Sequence, residues 1–287
     1  MSCLKRETSR SEKNNQQILS RNYRIQFGKD MIFLLKQILV VPTDRKELRI
    51  FRNFRSADYV CKFTLTLLSE EENIVTRNFR EWTLMELDKT FHLRQTMTEP
   101  VLDHWLSGQA EIPEMERHVL TAFREKLIRN VHDWNEAELA HYFICPVLTL
   151  ADYSTDHFNL FAERLFQGVV DGVEMSGKPD GIIASGWREP EKPFFCFQEY
   201  KKETDPEGDP AAQVLAAMLV AQEISEHRHP VYGCHVKGRG WFFMILQARQ
   251  YAISEPYIAT RDDIFDIFRI LRVLRQIILS FTNADIS

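Results

Sequence analysis

Three pieces of one stretch decide how this chain is read: Gly177-Lys-Pro-Asp-Gly-Ile-Ile-Ala184, Pro193-Phe-Phe-Cys-Phe-Gln-Glu-Tyr-Lys201 and Asp209-Pro-Ala-Ala-Gln213. The middle piece is short, aromatic-rich and closed by polar residues, which favours a strand over a helix. Alternate side chains of a strand share a face. Phe195, Phe197, Glu199 and Lys201 are therefore expected on one side, with Glu199 and Lys201 about 7 Å apart at Cα. Upstream, the turn from Gly177 to Gly181 feeds an apolar strand over Ile182–Ala184 and places Asp180 where turn becomes strand. Downstream, Asp209 as N-cap and Pro210 as first helical residue specify a helix running to about Glu226. Gln213, Ala216, Ala217, Val220, Ala221 and Ile224 form its apolar stripe, so Gln213 faces the sheet, where a buried amide needs a polar partner.

The order Pro179-Asp180, then Glu199-x-Lys201 on the following strand, then a helix carrying Gln213, resembles the PD-(D/E)XK nuclease superfamily over residues 130 to 280. The resemblance implies a restriction-endonuclease-like core, a mixed sheet flanked by helices. It also implies that Asp180 and Glu199 bind a divalent metal and that Lys201 positions or activates the attacking water. Hard carboxylate oxygens favour Mg2+, with Mn2+ as the alternative ion. Gln213 supports this arrangement from its helix. Asn135-Glu-Ala-Glu-Leu-Ala-His-Tyr-Phe-Ile-Cys-Pro-Val-Leu148 reads as a helix begun by Asn135 and bent or ended by Pro146. It is similar to the opening helix of the nuclease core in type I restriction subunits, where a glutamate precedes an Ile-x-Pro-x-Leu pattern. Glu136 and Glu138 are both candidates for that acid. Glu136 shares a face with Leu139, Ala140, Phe143 and Val147, which favours it.

The function expected from the resemblance is metal-dependent hydrolysis of phosphodiester bonds in nucleic acid, DNA ahead of RNA, in defence or restriction. The alternative is a catalytically inactive module of the same fold that binds nucleic acid or protein. A homo-oligomer or a defence-complex partner is compatible with either. The plainest account of Glu199 and Lys201 alone is an ion pair at a strand end.

Across the whole chain, 287 residues with 44% hydrophobic content suffice for one large domain or two modest ones. Lys plus Arg number 36 against 41 acids, a net charge of -5, so nucleic-acid contact must come from a local patch. Cys3, Cys61, Cys145, Cys196 and Cys234 include no CxxC pair, which points to reduced thiols in the cytoplasm and away from structural zinc. The first thirty residues are basic and polar without the apolar core of a secretory signal, and a mobile or partner-dependent arm is expected. Met31 to Val41 is apolar but too short to span a bilayer, so no membrane association is expected. Arg45 to Phe54 interleaves arginines with Phe51 and Phe54, a mixture able to clamp phosphates, although a solvated face is the commoner outcome.

The pattern changes near residue 130. This divides the chain into a mainly helical, mixed α+β N-terminal region, 1–130, for substrate or partner recognition, and a nuclease-like domain, 131–287. Within the first, Tyr59 to Ser69 is strand-like, and helices are expected over Thr83–Trp105, broken at Pro100, and Ile112–Arg129. Within the second, Leu165 to Met175 is a first strand on which Asp171 and Glu174 face solvent. Pro230–Val236 and Gly240–Leu246 form a hairpin with Lys237 and Arg239 projecting from its tip. His227, His229, His235 and Cys234 match no metal-ligand spacing. Ile264, Ile267, Phe268, Leu271, Leu274, Ile277 and Ile278 recur at helical spacing and are expected to pack on the core or on a second subunit. The fold class is α/β, helices covering a mixed sheet.

Overall fold

A computed structural model describes residues 76–204 and 208–284; the basic N-terminal arm, Met31–Val41, the Arg45 to Phe54 cluster and the strand expected over Tyr59–Ser69 lie outside the described residues. The described residues belong to one compact unit that runs on from Glu72. Residue 130, where the sequence pattern changes, lies inside it.

That unit begins with β1 (Thr76–Asn78), a single 3-10 turn over Phe79–Glu81, α1 (Leu84–Phe91), β2 (Arg94–Gln95), α2 (Pro100–Ser107) and α3 (Glu114–Asn130). Thr83 starts α1 with a reciprocal capping box to Glu86, and left-handed His92 stops it. Pro100 does not break a long helix as expected but opens α2 as a first-turn proline, capped by Glu99. Next come α4 (Glu136–Leu139), a π-helical segment over Ala140–Ile144 and α5 (Cys145–Ala151). Asn135 caps α4 together with Glu138. Pro146 lacks the N–H that would continue the ladder, and the widened π turn just before it lets the helical path carry on.

Strands follow: β3 (Asn159–Ala162), β4 (Phe166–Val170), β5 (Val173–Gly177), β6 (Gly181–Ser185) and β7 (Glu191–Lys201). The expected single strand over 165–175 is a hairpin of β4 and β5, turned by Asp171 and Gly172 at positive φ. Asp171 and Glu174 are not idle on it: Arg249 pairs with Asp171 at 3.0 Å, and Thr76 Oγ1 donates to Glu174 at 2.7 Å. After α6 (Pro210–Ile224) come β8 (Val231–Lys237), β9 (Gly240–Gln247), β10 (Gln250–Ile253), β11 (Tyr257–Ile258) and α7 (Asp263–Ala284). The main sheet has the order β2-β10-β9-β8-β7-β6-β3, and a small sheet has the order β1-β5-β4. The β7–β8 pair is parallel and its neighbours β6–β7 and β8–β9 are antiparallel, so the main sheet is mixed.

Helix α6 lies between the two sheets. Its residues from Ala211 to Gln222 are all buried, so the expected one-sided stripe is instead a helix covered all round. Small side chains let the sheet approach: Gly233 of β8 packs so near Val214 and Met218 that an added Cβ would lie 2.6 Å from the Met218 sulfur. The opposite face of the main sheet is covered by α2, α5 and α7. There Trp105 is fully buried, packs edge-on to Tyr232 and Phe243, and donates through Nε1 to the Ile270 carbonyl at 2.9 Å. Tyr153 likewise donates to Leu271 O at 2.7 Å. Helix α7 is thereby fixed to the core of its own chain, with Arg269 donating to Leu106 O and Arg275 to Asp152 O.

One face assignment fails on β7. The register against β6 slips around Ala184, and the bulge places Phe195 in the core under α7 while Phe194 and Phe197 join the core under α6. Phe195 therefore does not share a side with Phe197. The alternation resumes after the bulge, which leaves Glu199 and Lys201 in phase with Phe197.

Candidate active site

Asp180 ends the turn before β6, and Glu199 and Lys201 end β7, the strand beside it. Antiparallel pairing of Gly181 with Gln198 brings the start of β6 against the end of β7. The Tyr200 backbone N–H donates to Asp180 Oδ2 at 2.6 Å and holds that carboxylate at the strand ends. Gly181 lets the Gln198 side chain lie close, since an added Cβ would fall 2.6 Å from Gln198 Oε1, which in turn accepts the Tyr200 hydroxyl.

Lys201 Nζ donates to Glu199 Oε1 at 2.7 Å and to Tyr200 O at 3.1 Å, and lies 3.3 Å from Glu136 Oε2. The two sequence candidates on α4 thus separate. Glu136 reaches the lysine, while Glu138 accepts the Asn135 N–H at 2.9 Å and serves as a helix cap. Gln213, 5% exposed, comes from the first turn of α6 and lines a small cleft with Glu199, Gln198, Asn78, Arg80 and Lys178. The N-cap Asp209 positions that turn, accepting Ala212 N with one oxygen and Leu84 N of α1 with the other.

The electrostatics follow from burial and crowding. Burial and then the charge of Glu199 push Asp180 up to about 7 from its ordinary 3.8, against the lowering effect of the Tyr200 N–H. Burial also raises Glu199, despite its ion pair with Lys201. Burial alone would lower Lys201, but Glu199, Glu136 and Asp180 together raise it, so the amine stays a cation through neutral pH. Two carboxylates, Glu199 and Glu136, contact the ammonium, and the Asp180 carboxyl adds to its field.

The loop after β7 is tied down by a residue expected to project freely. Arg239, at the β8–β9 turn, donates to Glu203 from its backbone N–H at 2.9 Å and from Nε at 2.8 Å. Gly238, at φ 56°, lets Glu203 in, because a Cβ there would lie 1.9 Å from its carboxylate. The histidines are each otherwise engaged: His227 beside Glu223 at 3.2 Å, His229 stacked on Phe281, His235 stacked on Phe242. Among the described residues, no group of three or more His, Cys, Asp or Glu side chains is placed to hold a metal ion. Among the described residues, no helix is long and apolar enough to cross a membrane.

Sequence reasoning missed Arg80 and Lys178. Lys178 sits beside the Pro-Asp pair, and that adjacency is its signal in the sequence. Arg80 lies far upstream on an isolated turn, and nothing local marks it. No family model matches this chain, and no curated protein matches it.

Proposed function

We propose that this chain is a metal-dependent nuclease with a restriction-endonuclease-like core, hydrolysing phosphodiester bonds of nucleic acid, DNA ahead of RNA. The observation that supports it is the placing of Glu199 and Glu136 on Lys201 with Asp180 at the adjoining strand start, where burial and then the charge of Glu199 push Asp180 up to about 7. Two hard carboxylates fit Mg2+ or Mn2+. Such ions are commonly held by one or two carboxylates, with water and substrate phosphate completing the shell, so a third protein ligand is not required. Asp180 and Glu199 would hold the ion, which when bound polarises a phosphoryl oxygen and acidifies a water.

The chain's own residues do the rest. Lys201 is a cation fixed between Glu199 and Glu136, so it donates to the attacking water and offsets charge growing on the phosphoryl oxygens; it does not take the proton. Glu136 keeps the ammonium from swinging away. The Tyr200 N–H aims Asp180, and Gln213 presents an amide to the cleft. A cytoplasmic setting accords with Cys145, Cys196 and Cys234 as free thiols.

The experiment is incubation of supercoiled, linear and single-stranded DNA, and of RNA, with the protein in Mg2+, Mn2+ or EDTA, beside thermal melting in the same buffers. Expected are cleavage that EDTA abolishes and a Tm raised by the cation. A protein that neither cuts any of them nor responds to either metal is the inactive binding module instead.

Gln213→Ala is expected to slow cleavage about tenfold or more while Tm moves by only a few degrees, because the amide borders the cleft rather than the apolar core. Normal turnover by a strongly destabilised variant would make Gln213 a structural amide.

A further inference from the structure

We infer that Arg80 and Lys178 form a phosphate-binding subsite that holds the nucleic-acid backbone beside the Asp180–Glu199 pair. The inference rests on the nuclease reading and extends it to how a chain of net charge -5 grips a polyanion. Two adjoining depressions share Asn78, Arg80 and Lys178. One reaches Glu199 and Gln213; the other runs on to Ser176 and Leu165. Together they run from Glu199 past the two cations, with Glu81 on the wall of the outer one.

The two cations are placed side by side by the fold. Parallel pairing sets Asn78 of β1 opposite Ser176 of β5. One residue further, the Phe79 ring packs on Gly177 so closely that a Cβ there would lie 2.5 Å from it. One residue further again stand Arg80 and Lys178. The turn carrying Arg80 is rigid, with Arg80 N donating to Asn78 Oδ1 and Asn78 N to the Glu81 carboxylate, which turns that neighbouring acid back on the backbone.

Both side chains are exposed, and among the described residues neither makes an ion pair or a side-chain hydrogen bond. The arginines nearest in the same layers are paired, Arg77 with Glu86 and Arg249 with Asp171, and being unpaired among the described residues is shared with Arg94, Arg188 and Arg261, so what distinguishes Arg80 is its place on the cleft that Glu199 lines. Arg80 and Lys178 stand at the rim of the site, where the charge of Arg80 acts on Glu199 without a direct ion pair. A guanidinium fork beside a flexible ammonium suits the oxygens of a phosphodiester backbone and carries no base preference.

The test is fluorescence anisotropy with a labelled DNA duplex and a labelled single strand in EDTA, titrated over a range of salt. The Arg80→Ala/Lys178→Ala double variant is expected to bind at least tenfold more weakly. Its plot of log K against log salt should be shallower by about 0.9 for each duplex phosphate that the protein no longer neutralises. Lys192→Ala/Arg228→Ala removes the same charge at the far ends of β7 and α6 and is expected to leave the slope unchanged. A wild type that cleaves DNA while the Arg80/Lys178 variant keeps its affinity and slope overturns the subsite and leaves the nuclease reading standing. Loss of affinity and slope in a protein that never cuts supports the subsite and removes the nuclease reading. A wild type that binds neither probe overturns the subsite.

Discussion

Lys201→Ala is expected to lower single-turnover cleavage about a hundredfold to a thousandfold while leaving cation binding intact. The ammonium contacts two carboxylates, Glu199 and Glu136, and its side chain is only 10% exposed. Removing a positioned hydrogen-bond donor at a reacting centre typically costs about two to three powers of ten in rate. The substitution also leaves Glu199, with a side chain 5% exposed, without its partner. Breaking a buried pair in this way costs about 3–5 kcal/mol unless the orphaned acid takes a proton. The loss of stability should therefore be largest above neutral pH and should shrink on acidification. A divalent cation also replaces the missing charge, so Mg2+ should raise the Tm of Lys201→Ala by more than it raises that of wild type. Lys201→Met, which keeps the volume, should show the same rate loss with less disturbance. Cleavage by both variants within tenfold of wild type would reduce the Glu199–Lys201 pair to an ion pair at a strand end.

What could be read in advance was whatever short-range chemistry decides. Asp209-Pro210 marks a helix start by capping alone, and the helix starts there. The aromatic run to Lys201 is a strand because of its length and polar stop, and its end falls beside Asp180 because the Gly177–Gly181 turn is short. What could not be read depends on partners distant in sequence. The bulge that turns Phe195 away from Phe197 is set by how β6 seats against β7, and a strict alternation has no place for it. The burial of α6 on every side depends on β1, β4 and β5 forming a second sheet above it, and the register partners of β1 lie far downstream, at Glu174 to Ser176. For the same reason the place of the segment from Thr76 to Asn130 in the fold could not be assigned from its own pattern, although the helix expected over Ile112–Arg129 is there as α3: β1 and β2 find strands β5 and β10, and Leu120 and Leu127 enter the core beneath α7. The Arg239–Glu203 clamp is likewise invisible locally, because a hairpin tip that reads as solvent-facing meets a loop that reads as merely polar. Glu136 and Glu138 could be ranked by helix face, yet the decisive difference is that Glu138 is consumed by the capping box.

Asp180→Asn separates the cost of the site from its use. The fold binds the Asp180 proton more tightly than the unfolded chain does, since the carboxyl rises from 3.8 to about 7. Below about pH 4 both states are protonated and no penalty is felt. As pH rises towards 7 the unfolded chain loses its proton first, so stability falls through this window, and above about 7 the cost is fully present. At ~1.4 kcal/mol per pH unit its ceiling is about 4 kcal/mol, reduced by screening on the solvent-facing side. An asparagine keeps the oxygen that accepts from Tyr200 N and carries no charge. In EDTA at pH 8 it should therefore melt about 2–6 °C above wild type, and the difference should vanish near pH 4. The same substitution removes a hard anionic donor, so Mg2+ should no longer raise Tm, and cleavage should fall to background at every pH. Gain of stability together with loss of metal response and activity is the signature of a carboxylate kept for function at the expense of the fold. An Asp180→Asn protein that is less stable than wild type at pH 8 and still responds to Mg2+ would show that this aspartate serves the turn through its bond to Tyr200, and that the cation, if bound, is held elsewhere.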